Sequence, residues 1–407
     1  MIVSDKFVRE RYKMSEFGEI PLNWHSVDFK DYVFYQEGPG LRKWQFTLEG
    51  MKVINVTNIT QNGLDITNTQ RHITLEEYEQ KYKHFSIDEG DIVIASSGNS
   101  WGKSAKVSRE HLPLLLNTSV IRFKTLDSNI LNLEYLWHFV NSTLFLKQIE
   151  FLITGSAQPN FGPYHLGKIK LLLPSLTEQQ KIAEILSTVD EHIENTEQLI
   201  EKTKELKKGL MQQLLTKGIG HTEFKQTELG EIPVDWEVKS FKDVMVLQRG
   251  FDLPTQQRIA GFTPILSANG ITGNHNEAKV KGPGIVTGRS GTIGKVHYIE
   301  RDFWPLNTAL YVKEMYNNDS KFLFYFLISF GLEKYSTGTG VPTLNRNDVH
   351  KIKVAVPRSI EEQQKIASIL SSVDNQIENY KQEKEKYLEL KKGLMQQLLT
   401  GKIRVTV

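Results

Sequence analysis

The sequence predicts an α/β (α+β) protein of two globular bodies and two long coiled-coil helices, related by an internal pseudo-two-fold with a cyclic repeat. Three observations lead there. KKGLMQQLLT occurs at Lys207–Thr216 and again at Lys391–Thr400. Apolar residues around both copies recur at alternating spacings of three and four, the mark of a coiled-coil helix. The sequence preceding each helix holds short β-rich runs and one helix candidate.

In chain order, YKMSEFGEIPLNW (Tyr12–Trp24) opens the first body and has a counterpart in FKQTELGEIPVDW (Phe224–Trp236); both continue to Phe-Lys-Asp, at Phe29 and Phe241. DIVIASS and SVIRFK read as strands, Leu131–Leu152 as a helix, and KIKLLLP as a closing strand. The first long helix follows Pro174, with Ile182, Leu186, Val189, Ile193, Ile200, Leu210 and Leu214 on its seam. In the second body GIVTG and ALYVK are the strands, Lys321–Tyr335 the helix, and KIKVAVP leads past Pro357 into the second long helix. Its seam is Ile366, Leu370, Val373, Ile377, Tyr380, Tyr387, Leu394 and Leu398. The expected segments are 1–173, 174–217, 218–356 and 357–407. About 38 residues at 1.5 Å per residue make each rod about 57 Å long. Thr196, Thr203 and Lys384 interrupt the seams, which favours two matched helices within one chain over a long zipper.

The repeat extends beyond ten residues. Glu178–Asp190 aligns with Glu362–Asp374, and the register then holds without a gap to Thr216. SSGNSWGK (Ser96–Lys103) pairs with GRSGTIGK (Gly288–Lys295), LNT recurs at Leu116 and Leu306, and GSAQPNFGPYHLGKIK (Gly155–Lys170) pairs with GTGVPTLNRNDVHKIK (Gly338–Lys353). The last residues stop about where a further copy would resume with GEIP. A cyclic order with neighbouring termini follows.

At 407 residues the chain is too long for one hydrophobic core. A hydrophobic fraction of 39% and a charged fraction of 24% fit a soluble protein. No apolar run is long enough to span a membrane, and the start lacks the apolar core of a signal peptide, so the cytoplasm is expected. The absence of cysteine excludes disulfides, thiolate metal sites and cysteine nucleophiles. A net charge of +2 neither demands nor excludes nucleic acid, which needs only a local basic surface.

The loops of the bodies are rich in the side chains that read base edges: Arg or Lys for guanine, Asn or Gln for adenine. Features common to both bodies cannot make them read different sequences. The paired S-G…G-K loops, with Asn99, Lys103 and Lys295, therefore suit phosphate contact or a tight turn, as do Lys168 and Lys351. Discrimination falls to residues that differ: Arg42, Lys43, Gln158, Asn160 and Tyr164 in the first body, and Arg249, Gln257, Arg258, Arg289, Asn345 and Arg346 in the second. In the helix tails, identity extends past the apolar positions to Lys207, Lys208, Gly209 and Gln212, and to Lys391, Lys392, Gly393 and Gln396. Packing alone would require only the leucines, so these residues are candidates for docking one partner twice. Gly209 and Gly393 either mark fraying helix ends or admit another backbone closely.

Catalytic patterns fail. GNSWGKS has three residues between Gly98 and Gly102 where a phosphate-binding loop needs four, and Lys295 is not followed by Ser or Thr. PVDWEVK lacks nuclease spacing, and its counterpart PLNWHSV has neither carboxylate. No zinc or dinucleotide motif occurs, and the eleven histidines show no ligand spacing. The chain reads as non-catalytic, with no cofactor of its own.

GEIPxxW twice, EQQKIAxIL twice and ELKKGLMQQLLT twice, in cyclic tandem order, resemble the specificity subunits of type I restriction-modification systems across essentially the whole chain. The resemblance implies two target-recognition domains, each reading one half of a bipartite DNA site, and two antiparallel helices that set the spacer. It implies two methyltransferase subunits docked on the duplicated helices and restriction subunits joined through them. S-adenosylmethionine, magnesium and ATP would then belong to those partners. A coiled-coil scaffold for proteins is the alternative. The first body is longer than the second, so the pseudo-symmetry is approximate.

Overall fold

The computed structural model describes residues 11–67, 71–153, 160–338 and 342–406. The chain divides into two compact units, Met1–Asn195 with Lys384–Val407, and Thr196–Glu383. The two share one internal plan. In the first, an antiparallel sheet runs in the order Ser104–Lys106, Ile92–Ala95, Val120–Thr125, Val33–Glu37. In the second the order is Val296–Ile299, Gly284–Gly288, Ala309–Glu314, Val246–Arg249, element for element the same. A smaller sheet accompanies each. Met51–Ile54 pairs in parallel with Leu115–Leu116 and antiparallel with His72–Ile73, as Thr263–Ser267 does with Trp304–Pro305 and Gly270–His275.

The uninterrupted apolar run Ile92–Ala95 follows from burial on both faces. Alternate side chains of a strand point to opposite sides. Ile92 and Ile94 enter the main core with Phe29, Phe123 and Phe139, while Val93 and Ala95 enter a second cluster with Ile54, Val107 and Val120.

The predicted helix over Leu131–Leu152 is two helices, Leu133–Val140 and Thr143–Ile153. At the break the Ser142 hydroxyl donates to the Phe139 carbonyl at 2.6 Å and accepts from the Phe145 N–H at 3.4 Å, offering local partners in place of the helical ladder. The polar run Asn141-Ser142-Thr143 marks this interruption in the sequence. In the second unit the helix is Ser320–Phe330 and stops at Gly331, whose φ of +68° is the left-handed conformation that ends a helix most cheaply in glycine. The residues up to Tyr335 form a short 3-10 turn instead.

The long helices are Leu176–Lys217 and Ile360–Leu398, of 42 and 39 residues. Ser175 and Ser359 cap their first turns, accepting from the Glu178 and Glu362 N–H groups at 3.4 and 3.2 Å. The two glutamates turn toward GEIPxxW. Trp24 Nε1 donates to Glu178 at 2.9 Å, and Trp236 Nε1 to Glu362 at 3.3 Å. Gln179 and Gln363, next in sequence, are fully buried clasps. Gln179 donates to the carbonyls of Ile130 and Pro174 and accepts from the Asn132 N–H; Gln363 donates to Asn318 and to the Pro357 carbonyl and accepts from the Asp319 N–H. The repeated Glu-Gln pair thus fixes each helix start to its own body.

The helix tails do the opposite. Leu394, Met395, Leu398 and Leu399 complete the core of the first unit beside Ile20 and Trp24. Leu210, Met211, Leu214 and Leu215 complete the core of the second beside Ile232 and Trp236. Within each unit the helical segments run antiparallel. Lys391 Nζ lies 2.5 Å from Asp190, and His192 stacks on Tyr387 at 5.1 Å between ring centres. In the second unit Lys207 Nζ lies 2.6 Å from Asp374, while Leu214 and Leu215 share a core with Ile366 and Ala367. Near the two ends of the chain, Tyr12 Oη donates to the Gly401 carbonyl at 3.1 Å and Arg404 grips Glu178 with two bonds of 2.6 and 3.0 Å. The expected cyclic order is present in the packing.

Candidate nucleic-acid interface

The paired loops singled out in sequence are brought together by the same backbone frame in each unit. In the first, the Phe161 N–H donates to the Ser96 carbonyl at 3.1 Å and Ser97 bridges Asn160. In the second, the Leu344 N–H donates to the Arg289 carbonyl at 2.8 Å and Ser290 bridges Thr343. Phe161 and Leu344 are buried and hold the frame to the core. Gly38 and Gly250 close it: a Cβ at either would stand 2.3 and 2.2 Å from the carbonyls of Asn117 and Leu306 in the LNT stretches. No other residue fits so near a backbone.

On this common frame the side chains differ. In the second unit two guanidinium groups are linked through shared partners, and a third stands on the neighbouring turn. Arg249 Nη2 lies 3.7 Å from Asp252, which also accepts from the Asn307 amide, and Arg289 donates to the Asn307 carbonyl at 3.2 Å. Arg346 donates to the Leu247 carbonyl at 3.4 Å and to the Gln248 side chain. His350 below them is held neutral, its pKa lowered by burial and then by Arg346 and Lys242, and its Nε2 accepts from the Leu247 N–H at 3.0 Å. The corresponding positions in the first unit are Glu37, Ser96 and Pro163. Glu37 accepts from the N–H of Ser119, a non-glycine residue at φ +64°.

Of the other candidates, Asn99 sits exposed in the Gly98–Ser100 turn, Lys103 is half-buried and Lys295 exposed. Asn160 is exposed, and Tyr164 is 71% exposed with Lys168 Nζ 2.6 Å from its hydroxyl. Asn345 caps the turn Arg346–Val349, accepting from the Asn347 N–H and donating to Asp348, so its amide is engaged locally. Lys351 lies 3.8 Å from the same aspartate. Gln158 falls outside the described residues. Arg42 and Lys43, like Gln257 and Arg258, belong to a different loop in each unit, the one entering the smaller sheet. Sequence reading missed Glu37, Asp252 and Asn307. The repeated LNT was the available signal for the last.

The duplicated tails split into two faces. Lys207 and Lys391 turn into their own units, paired with Asp374 and Asp190. Tyr325 also donates to Asp374 at 2.7 Å, and its hydroxyl is held protonated by burial. His138, at the matching place in the first unit, lies fully buried with Ser187 at 3.2 Å and its pKa pushed down to about 3, chiefly by burial. Lys208, Gly209 and Gln212 face solvent, as do Lys392, Gly393 and Gln396. Nothing lies within 4 Å of where a Cβ would stand at either glycine. On a flank of the same helical segments Leu206 and Leu390 are 54% and 48% exposed.

Among the described residues no group of three or more His, Asp or Glu is placed to hold a metal ion, and no helix is long and apolar enough to cross a membrane.

Two segments, residues 21–205 and 233–389, match the model of the type I restriction modification DNA specificity domain. The type I restriction enzyme MjaVIII specificity subunit of Methanocaldococcus jannaschii is 26% identical over 437 residues, covering 100% of this chain and 99% of that protein. The fold resembles the S subunit of a type I restriction-modification system from M. genitalium, with a TM-score of 0.57 and 19% identity over 92% of this chain and 96% of that one. A chain from a structure concerned with complex assembly and conformational transition of the type I R-M system gives a TM-score of 0.60 at 14% identity, covering 94% and 99%. With both halves matched, the chain belongs to the type I restriction modification DNA specificity domain family.

Proposed function

We propose that this chain is the DNA sequence-specificity subunit of a type I restriction-modification complex, each body reading one half of a bipartite, asymmetric site. The observation that carries the reading is the common frame bearing different side chains. Three arginines stand in the second unit where glutamate, serine and proline stand in the first. One fold used twice, with altered chemistry at the same three points, is what reading two different half-sites requires. Arginine side chains suit the acceptor edge of guanine.

The chain supplies recognition rather than catalysis, and S-adenosylmethionine, magnesium and ATP belong to its cytoplasmic partners. The outward residues Lys208, Gly209 and Gln212 and their counterparts Lys392, Gly393 and Gln396 are identical, which fits two copies of one methyltransferase subunit, with restriction subunits joining through them.

The test is to assemble the full chain with an adenine methyltransferase encoded beside it and map methylated adenines on genomic DNA. One bipartite sequence is expected. Exchanging Arg249, Arg289 and Arg346 together should alter one half-site and spare the other. Methylation without sequence preference would overturn the reading.

A further inference from the structure

We propose that Trp44 and Phe262 are a matched pair of aromatic wedges that stack on an opened base step of duplex DNA, one in each half-site. The inference rests on the DNA-reading function above. Each residue sits in the loop that leaves the edge strand of the main sheet, Val33–Glu37 or Val246–Arg249, and enters the smaller sheet at Met51–Ile54 or Thr263–Ser267. Trp44 is 79% exposed and Phe262 92%. Single exposed apolar residues are ordinary on protein surfaces. The same loop presenting a large aromatic in both units, on otherwise divergent sequence, is not explained by that.

Both loops are pinned on either side of the aromatic. Around Trp44, Leu41 is buried, the Gln45 side chain donates to Glu77 at 2.7 Å and to Tyr82 at 3.1 Å, and the Thr47 N–H donates to the His72 carbonyl at 2.8 Å. Before Phe262, Leu253 is buried and the Ile259 N–H donates to His275 Nδ1 at 3.0 Å. Gly261 lies so close that a Cβ would stand 2.4 Å from the Asn276 backbone, and Thr263 then enters the sheet opposite His275. The rings are therefore displayed by ordered backbone, and little conformational entropy is lost when they are used.

The surroundings suit a polyanion. Arg42 and Lys43 directly precede Trp44, and the Arg71 guanidinium lies 5.2 Å over the neighbouring Phe46 ring. Arg258 precedes Phe262 by four residues, and no Asp or Glu occurs from Gly38 to Thr47 or from Leu253 to Asn276. Apolar side chains entering between base pairs unstack them and bend the duplex, and flanking cations hold the phosphates while they do so.

The experiment uses the full chain and duplexes selected by it from a random pool, with 2-aminopurine placed at each position in turn. The wild type should raise 2-aminopurine fluorescence at one step in each half-site. Trp44→Ala should abolish the signal in one half-site and Phe262→Ala in the other, each weakening binding roughly 5- to 150-fold, the loss expected when a base-stacking aromatic is truncated. Trp44→Phe and Phe262→Trp should restore both readouts. Unchanged thermal unfolding would show that the alanine variants are folded. Alanine variants with wild-type affinity and signal would overturn the wedge and leave DNA reading standing. Lost affinity with an unchanged fluorescence pattern would overturn it too, placing the aromatics on the outside of the duplex. Enrichment of no sequence by the wild type would overturn DNA reading and the wedge with it.

Discussion

At the scale of single residues, invariance between the two copies has distinct physical causes. Gln179 makes three hydrogen bonds to backbone groups with no exposed surface. Gln179→Ala should cost about 2–4 kcal/mol, because backbone donors and acceptors are left buried and unpaired; urea unfolding of the full chain measures it, with Gln363→Ala as its twin. His138 makes a sharper case. Its pKa is 6.5 when unfolded and about 3 in the folded chain, so the stability it contributes is fully present above pH 6.5. As the pH falls from 6.5 toward 3 the unfolded state takes up a proton that the native state refuses. Stability is lost at about 1.4 kcal/mol per pH unit over that window. His138→Tyr, copying Tyr325 of the second unit, should remove this contribution, so the difference in unfolding free energy between variant and wild type should change between pH 7 and 4.5. A pH-independent difference would contradict the assignment. The identity of the Glu-Gln pair was legible in sequence, but its purpose was not, since Ile130, Asn132 and Pro174 carry no pattern that announces a clasp.

At the scale of elements, the helices were the legible part. Apolar spacing and a preceding proline are local signals, and they locate Leu176 and Ile360 closely. The break at Ser142 is easily passed over because apolar residues flank it on both sides, although Asn141, Ser142 and Thr143 are a polar run of the kind that interrupts a helix. The strand-by-strand identity of the two bodies was not legible, since strand pairing is non-local and the sequences between anchors have diverged. Gly209 and Gly393 illustrate an element-scale prediction. With open space around both, Gly→Ala at either should raise stability by about 0.5–1 kcal/mol, the ordinary gain of helix propensity. If the outward face holds a methyltransferase backbone at close range, the same substitutions should weaken assembly at least roughly tenfold, as one unaccommodated contact of about 1.4 kcal/mol would. Stability measured by thermal unfolding and assembly by titration separate the two effects.

At the scale of the whole molecule, the repeat is cyclic in space as well as in sequence, and the candidate site shows the same division of legibility. Paired loops were visible as motifs; the link between Arg249 and Arg289 was not, because it runs through Asp252 and Asn307, the latter distant in sequence. On the proposed function, about four residues inserted within Thr196–Thr203, close to one helical turn, should change the spacer of the methylated site and leave both half-sites unaltered. Changed half-sites would show that the helices and the reading bodies are not separate modules. The exchanged tails carry a consequence for synthesis. The second unit is a continuous stretch, Thr196–Glu383, and has all its residues once that stretch has emerged. The first unit is discontinuous: it joins Met1–Asn195 to Lys384–Val407, which are made after the whole of the second unit. Leu394, Met395, Leu398 and Leu399 reach its core only after the second unit has been made. A chain cut short before Lys384 should therefore hold a protease-resistant second unit and a labile first one, and the nascent protein should reach its final fold in the reverse of the order in which it is written.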